Sequence, residues 1–346
     1  MRFNLRAIAV LAAAVGLVAL FLNNVDLRGV ARGVLEARPG WLLLSLSCAM
    51  LSLAIRSLRW QFLLEPLGGA SLANSFRATA VGFAASALLP ARAGEIIRPY
   101  FLARQSRRGS RPISAAGALA TVIVERLLDV ITVVILLSTY VFGFGRDLAL
   151  QQPRAFAAAR WSAGVFGSGT LVLLAILFVV ADDPSRLTRV VARLAQIVPA
   201  KLFAALSGVV EKFAVGLGVV RRPSRLLGAL AWSLPLWLSI AMMIWAVAMA
   251  FRFAVPFTGT FLLIALLVIG VAVPTPGSIG GFHEAFRVGV TTFYGARNDA
   301  AVGAAIVLHA FSIGPSLLLG LLFAAREGLG LSSMRQLAND AARQTA

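Results

Sequence analysis

The chain has 346 residues, 59% of them hydrophobic and 13% charged, with a mean hydropathy of +0.87. A single soluble core of this length could not hide so much apolar surface, which excludes an ordinary soluble enzyme and makes lipid the natural solvent. The formal charge of +18 raises nucleic acid as a partner, but the basic residues sit in short runs between apolar spans, as positive-inside topology requires, so nucleic-acid binding is set aside.

In chain order, Arg2 and Arg6 precede an apolar run from Ala7 to Leu22. No small-residue cleavage pattern follows convincingly, so the run reads as an uncleaved first span over 5–22 rather than a signal peptide. Further full spans are predicted at 41–63, 115–143, 160–181, 226–250 and 299–325, each near the ~20 residues needed to cross. Cys48, the only cysteine, lies in an apolar span, which rules out an intrachain disulfide or thiolate cluster. Trp41, Trp60, Trp161 and Trp232 fall near span ends, where amphipathic rings prefer to sit. Arg56 and Arg59 occupy the last two turns of the second span and are expected to snorkel to the interface.

Two regions break the pattern. The apolar stretch from Phe76 to Arg104 is interrupted by Leu89-Pro90-Ala91-Arg92-Ala93-Gly94-Glu95, and the stretch from Phe257 to Tyr294 by Val273-Pro274-Thr275-Pro276-Gly277-Ser278-Ile279-Gly280-Gly281. Proline and glycine cannot continue a helix there, and each half is too short to span. Broken backbone at membrane depth is tolerated only where protein or a wet cavity satisfies it. Both regions therefore read as re-entrant helical hairpins. The fold class expected is all-α: a polytopic membrane helix bundle of about six full spans and two broken re-entrant hairpins, with an inverted repeat suggested by their opposite directions. Residues 1–330 form one transmembrane domain, and 331–346 a cytoplasmic tail. Within 182–225, apolar residues at helical spacing (Leu187, Val190, Val191, Leu194) alternate with Arg186, Arg189 and Arg193, the pattern of cytoplasmic amphipathic helices lying on an anionic leaflet or on the domain's own inner rim. The arginine bias puts both termini in the cytoplasm.

Ionisable groups in or beside spans are costly and so informative. Around the first break stand Arg92, Glu95 and Arg98. Glu95 and Arg98 are three apart and expected to form a local ion pair. Either the pair merely caps the second half-helix, or the broken helix offers free N–H groups to a phosphate with arginine as a charged fork. Inside an apolar span, Glu125 and Asp129 share a helical face with Arg126 nearby, and either brace the break or touch a ligand. At the second break, Gly277, Gly280 and Gly281 permit close backbone approach, with His283 and Glu284 in the first turn of the new helix. His283 could relay a proton, though an ordinary hydrogen-bonding role is the simpler reading, and His309 reads as a packed helix residue. Two histidines are too few for a zinc site. Gly167-Ser168-Gly169-Thr170 lacks the lysine of a phosphate-binding loop. Neither a metal nor a cofactor is expected.

Arg56-Ser57-Leu58-Arg59-Trp60, Leu89-Pro90-Ala91-Arg92-Ala93-Gly94-Glu95 with Arg98, Glu125-Arg126-Leu127-Leu128-Asp129, and Pro276-Gly277-Ser278-Ile279-Gly280-Gly281 with Glu284 resemble, in order, the motifs of the flippase-like family whose best-known member is the transmembrane region of lysylphosphatidylglycerol synthase. The pattern departs at Ser278, where the family usually has glycine. The resemblance implies lipid handling, while the absence of a synthase domain after the last span argues against lysyl transfer. The expectation is a lipid flippase or lipid-handling transporter of a bacterial inner membrane, a transporter rather than an enzyme. Arg92, Arg98 and the half-helix N-termini would hold a headgroup phosphate, and Glu95, Glu284 and Asp129 would meet any cationic group, with Glu125, Arg126 and His283 beside them. The backbone breaks would lie at Pro90, Gly94, Pro274, Pro276, Gly277, Gly280 and Gly281. Membrane lipids are the expected partners, with a lipid-synthesis enzyme or glycosyltransferase as a further one. The rival readings are an integral-membrane transferase acting on a lipid-linked substrate, and a non-transporting partner of a lipid-synthesis enzyme.

Overall fold

The computed structural model describes residues 26–89, 92–106, 112–145, scattered positions between 150 and 172, 223–272 and 275–327. Every regular element among them is helical. Four helical segments are long and apolar enough to cross a membrane: Pro39–Leu67, Ala115–Phe144, Ser224–Ala250 and Asn298–Arg326. They match the spans expected at 41–63, 115–143, 226–250 and 299–325. The span expected at 5–22, nearly all of those at 160–181 and 182–225, and the tail at 331–346 lie outside the described residues.

The elements begin and end where their local chemistry dictates. Helix α1 (Leu27–Leu35) starts on Asp26, whose carboxylate accepts the Arg28 N–H. Helix α2 (Pro39–Leu64) opens with proline at its first position, where the missing N–H costs nothing. Helices α3 (Leu72–Leu88) and α5 (Ala115–Thr139) are capped by Ser71 and Ser114, which accept the N–H groups of Asn74 and Gly117. Helix α4 (Gly94–Ser106) follows the first break, and α5 continues through a π-helical turn over Tyr140–Phe144. The second half holds α6 (Pro223–Ala250), α7 (Gly259–Ala272), a short 3-10 turn (Pro276–Ser278), α8 (Gly281–Tyr294) and α9 (Asn298–Arg326).

Contacts at the helix ends set the chain's direction. Ser45 bonds the Met243 carbonyl while Arg59 bonds Ser233, so α2 and α6 run antiparallel. At one end of the bundle Arg225 meets Glu65, Gln61 bonds the Ala70 carbonyl, and Gln105 approaches Glu327. That end therefore collects the close of α2, both outer ends of the α3–α4 pair, the start of α6 and the close of α9. At the other end the Arg38 N–H bonds the Ala250 carbonyl, Tyr140 meets Tyr294, and Tyr294 bonds the Gly259 carbonyl. That end collects the close of α5 and α6 and both outer ends of the α7–α8 pair. The two helix pairs thus approach each other from opposite ends, and α2–α3–α4–α5 and α6–α7–α8–α9 run in opposite senses.

Each pair is an antiparallel hairpin closed by glycine. A Cβ on Gly94 would land on the Gly82 carbonyl oxygen, and one on Gly281 would land on the Gly270 carbonyl oxygen. The arms have 17, 13, 14 and 14 residues. At about 1.5 Å per residue they reach roughly 20–25 Å, short of a ~30 Å hydrocarbon core. The first hairpin packs into a core around Trp60, Leu63, Phe101 and Leu128, and the second into one around Ile244, Leu263, Phe286 and Leu308.

Candidate functional site

The charged residues of α5 organise the interior. Glu125 and Asp129, one turn apart, face α2 and share Arg59, whose Nη2 reaches Glu125 Oε1 at 3.0 Å and whose Nη1 reaches Asp129 Oδ1 at 2.7 Å. Ser233 Oγ accepts from Arg59 Nη1 at 2.8 Å, and Trp237 Nε1 donates to Asp129 Oδ1 at 3.0 Å, both from α6. Arg98 of the first hairpin closes the group: its Nη1 lies 2.7 Å from Glu125 Oε2 and its guanidinium sits 3.8 Å over the Trp60 ring. Trp60 is fixed in turn by donating Nε1 to Thr121 at 3.0 Å. Arg59 and Glu125 have no exposed surface at all, a condition charges tolerate only when paired and hydrogen-bonded.

Three expectations are corrected here. Arg59 does not snorkel, because two carboxylates on α5 supply a better partner than the interface, and Arg56 turns inward beside Asp129 at 3.7 Å. Trp60 is a buried packing residue rather than an interfacial ring, because Arg98 stacks on it. The local Glu95–Arg98 pair gives way to the shorter Arg98–Glu125 pair, which leaves Glu95 to other partners.

Outside this buried layer lies an open one. Arg126 Nη1 stands 3.4 Å from Asp129 Oδ2, and Glu95 Oε1 stands 3.9 Å from both Arg92 Nη1 and Arg126 Nε. Among the described residues Arg92 hydrogen-bonds elsewhere, donating Nη2 to the Val271 carbonyl of α7 at 2.8 Å and so tying the two hairpin tips together. Its backbone is left-handed (φ +52°), as is that of Ser278 (φ +57°) at the other tip. A non-glycine residue rarely adopts that conformation, and it persists only where its surroundings impose it. A position for a Cβ on Gly277 lies 3.4 Å from the Ala87 carbonyl oxygen, so the second tip rests on the last turn of α3.

Where the tips meet there is a cavity of about 550 Å³. Arg56, Arg92, Glu95, Arg126 and Asp129 line one part of it; Phe83, Val133, Ile264, Leu267 and Ile313 line much of the rest. Thr275, Gly277 and Ser278 join the wall from the second hairpin. Across both layers five arginines (56, 59, 92, 98, 126) face three carboxylates (Glu95, Glu125, Asp129), an excess of two positive charges. Of these, Arg56, Arg92 and Arg126 line the cavity against Glu95 and Asp129, and an amphipathic cavity with that net positive charge is chemically suited to a group that is anionic at one end and hydrocarbon at the other.

Apart from the Arg92 contact, the second tip is held by neutral groups. Thr275 Oγ1 donates to the Ile279 carbonyl at 2.9 Å, and the Gly280 N–H donates to His283 Nδ1 at 3.3 Å. His309 Nε2 donates to the Gly277 carbonyl at 2.8 Å, and the two imidazoles lie 4.4 Å apart. His309 is therefore part of the break's support rather than only a packed helix residue. Glu284 stands apart from Arg92: Arg287 grips it at two points and bonds Asn298 as well, and Glu284 is not among the cavity-lining residues. Pro90 and Pro274 lie outside the described residues. Pro276 opens the 3-10 turn, and Gly94, Gly280 and Gly281 stand at the two helix starts.

The sequence named Arg92, Glu95 and Arg98 as one cluster and Glu125, Arg126 and Asp129 as another; the structure joins the two into one network through Arg59, Ser233 and Trp237, which sequence reasoning missed. Arg59 was findable, since an arginine on the same face as Arg56 within a span is a functional candidate by default. Ser233 and Trp237 carried no signal separable from ordinary span composition.

The motifs that raised the family resemblance, Glu284 apart, are those that build this site. A sequence profile described as the lysylphosphatidylglycerol synthase transmembrane region matches residues 6–320. The chain belongs to that family. As a member of the lysylphosphatidylglycerol synthase transmembrane-region family it is a multi-pass helical membrane protein with a lipid-related function. No curated protein matches it.

Proposed function

We propose that this chain moves a lipid headgroup across a bacterial inner membrane. The observation that carries the reading is the amphipathic cavity at the meeting of the two hairpin tips. In this reading both hairpins are re-entrant, one from each side, and their tips stand near the bilayer midplane. Polar backbone at that depth finds partners in side chains: His309 meets the Gly277 carbonyl in the second break, and Arg92 meets the Val271 carbonyl in the last turn of α7. The opposed senses of the two halves favour alternating access, with one hairpin unit rocking against the other around a site that stays near the middle. Both termini would then face the cytoplasm.

Arg92 and Arg126, with Arg56 beside Asp129, would hold the headgroup phosphate. Arg98 and Glu125 are buried, and their part is to hold the first hairpin against α2 and α5. Acyl chains would lie along the apolar wall or in the surrounding lipid.

Reconstitution of the full chain in liposomes carrying headgroup-labelled phospholipids tests this, with an impermeant quencher reading the share reachable from outside. Protein-dependent movement between leaflets, lost in Arg92→Gln, is the expected result. Movement no faster than in protein-free vesicles, across a panel of anionic, zwitterionic and cationic lipids, would sink the reading.

A further inference from the structure

Glu95 is held differently from every other carboxylate in the network. Glu125 has guanidinium nitrogens at 2.7 and 3.0 Å, and Asp129 has one at 2.7 Å. Glu95 has its two arginines at 3.9 Å each, beyond hydrogen-bonding reach. The exposures separate in the same way: the side chains of Arg92, Glu95 and Arg126 are 44%, 36% and 36% exposed, against 0% for Glu125 and 7% for Asp129. All three line the cavity. The carboxylate thus sits loosely between two accessible guanidinium groups, at the open face of a network that already carries excess positive charge.

We propose that Glu95 is a built-in competitor for the lipid phosphate, occupying the fork between Arg92 and Arg126 until an anionic phosphodiester displaces it. The proposal rests on the lipid-handling reading above and deepens it by naming a specificity-determining residue. A carboxylate and a phosphodiester each present two anionic oxygens to a guanidinium fork, so one can replace the other without leaving either arginine unpaired. The exchange gains for the phosphate because 3.9 Å contacts are weak and guanidinium–phosphate hydrogen bonds near 2.8 Å are strong. The released Glu95 can rotate toward solvent within the cavity. Displacement sets a preference: the site selects headgroups of net negative charge. A headgroup that adds an ammonium is disfavoured by Arg56, Arg92 and Arg126 together. It also tunes release, since a resident competitor prevents the phosphate from binding too tightly to leave.

The test compares binding of dioctanoyl phosphatidylglycerol and dioctanoyl phosphatidylethanolamine to the purified full chain in detergent, by titration calorimetry. Glu95→Gln keeps the side chain's shape and removes its charge, and is expected to tighten phosphatidylglycerol binding by roughly tenfold, as removal of one nearby like charge would. Arg126→Gln is expected to weaken it by a similar factor, and phosphatidylethanolamine to bind more weakly than phosphatidylglycerol to the parent protein. If Glu95→Gln leaves phosphatidylglycerol affinity unchanged or lowers it while the parent protein binds, the competitor idea fails and the lipid site stands. If Glu95→Gln weakens only phosphatidylethanolamine, Glu95 is an ammonium partner and the idea fails as well. If neither lipid binds the parent protein or either variant, the lipid reading falls with it.

Discussion

The two hairpins use the same backbone device for different ends. In both, a short antiparallel pair is closed by glycine-to-glycine contact, and one non-glycine residue at the tip is left-handed. The first tip is charged, with Arg92 and Glu95 open to the cavity and Arg98 anchored to Glu125. The second tip is neutral, held by a threonine hydroxyl, two imidazoles and backbone carbonyls. One hairpin supplies electrostatics and the other supplies shape. A cavity that binds a charged headgroup and then releases it needs both, because charge on every wall would trap the ligand.

The largest effect that would break this comparison lies beneath the first tip. Arg59→Leu leaves Glu125 and Asp129 buried with their central cation removed, and is expected to destabilise the protein by about 3–5 kcal/mol. Thermal unfolding in detergent, followed by fluorescence-detected size exclusion, should show it, and a melting temperature equal to the parent's would mean that the network is not structural. Next come the glycine closures. Gly94→Ala and Gly281→Ala each force a methyl group onto a backbone carbonyl and should each cost about 1–3 kcal/mol. If only one of the pair lowers the melting temperature, the hairpins are not equivalent in how they close.

Smaller and more specific effects sharpen the division of roles. Arg92→Gln should abolish leaflet movement of an anionic lipid and shift stability by well under the Arg59 effect, because this side chain is 44% exposed where Arg59 is fully buried. Equal loss of transport in Ser278→Ala would show that the second tip also contributes a polar contact. The smallest expected effect is Glu284→Gln. It weakens a mostly buried, two-point pair with Arg287 that lies away from the cavity, and should leave lipid binding unchanged. A loss of binding in that variant would place Glu284 at the site after all.

The family motifs were legible because each coincides with a physical anomaly: proline and glycine where a span should continue, or a charge where lipid should exclude it. The expected pairings within those motifs were less secure. Glu95 and Arg98 satisfied the three-residue rule for a helix pair, but a carboxylate on α5 lies closer to Arg98 than Glu95 does. Glu284 likewise found a partner three residues on, Arg287, which its expected role in the cavity had overlooked. Local spacing bounds which pairs can form and does not decide among competitors brought in from elsewhere.

From the sequence alone came the solvent, the helical class, the positions of four spans and the two interruptions, because hydropathy, proline and glycine act on stretches of chain that need no distant neighbour. Only the tertiary structure decided that the two tips meet, that Arg59 rather than Arg56 sits at the centre, and that Glu284 stays outside. Those outcomes depend on which helix faces bury against each other. A buried charge takes the nearest carboxylate or cation that folding delivers, wherever in the chain that partner began.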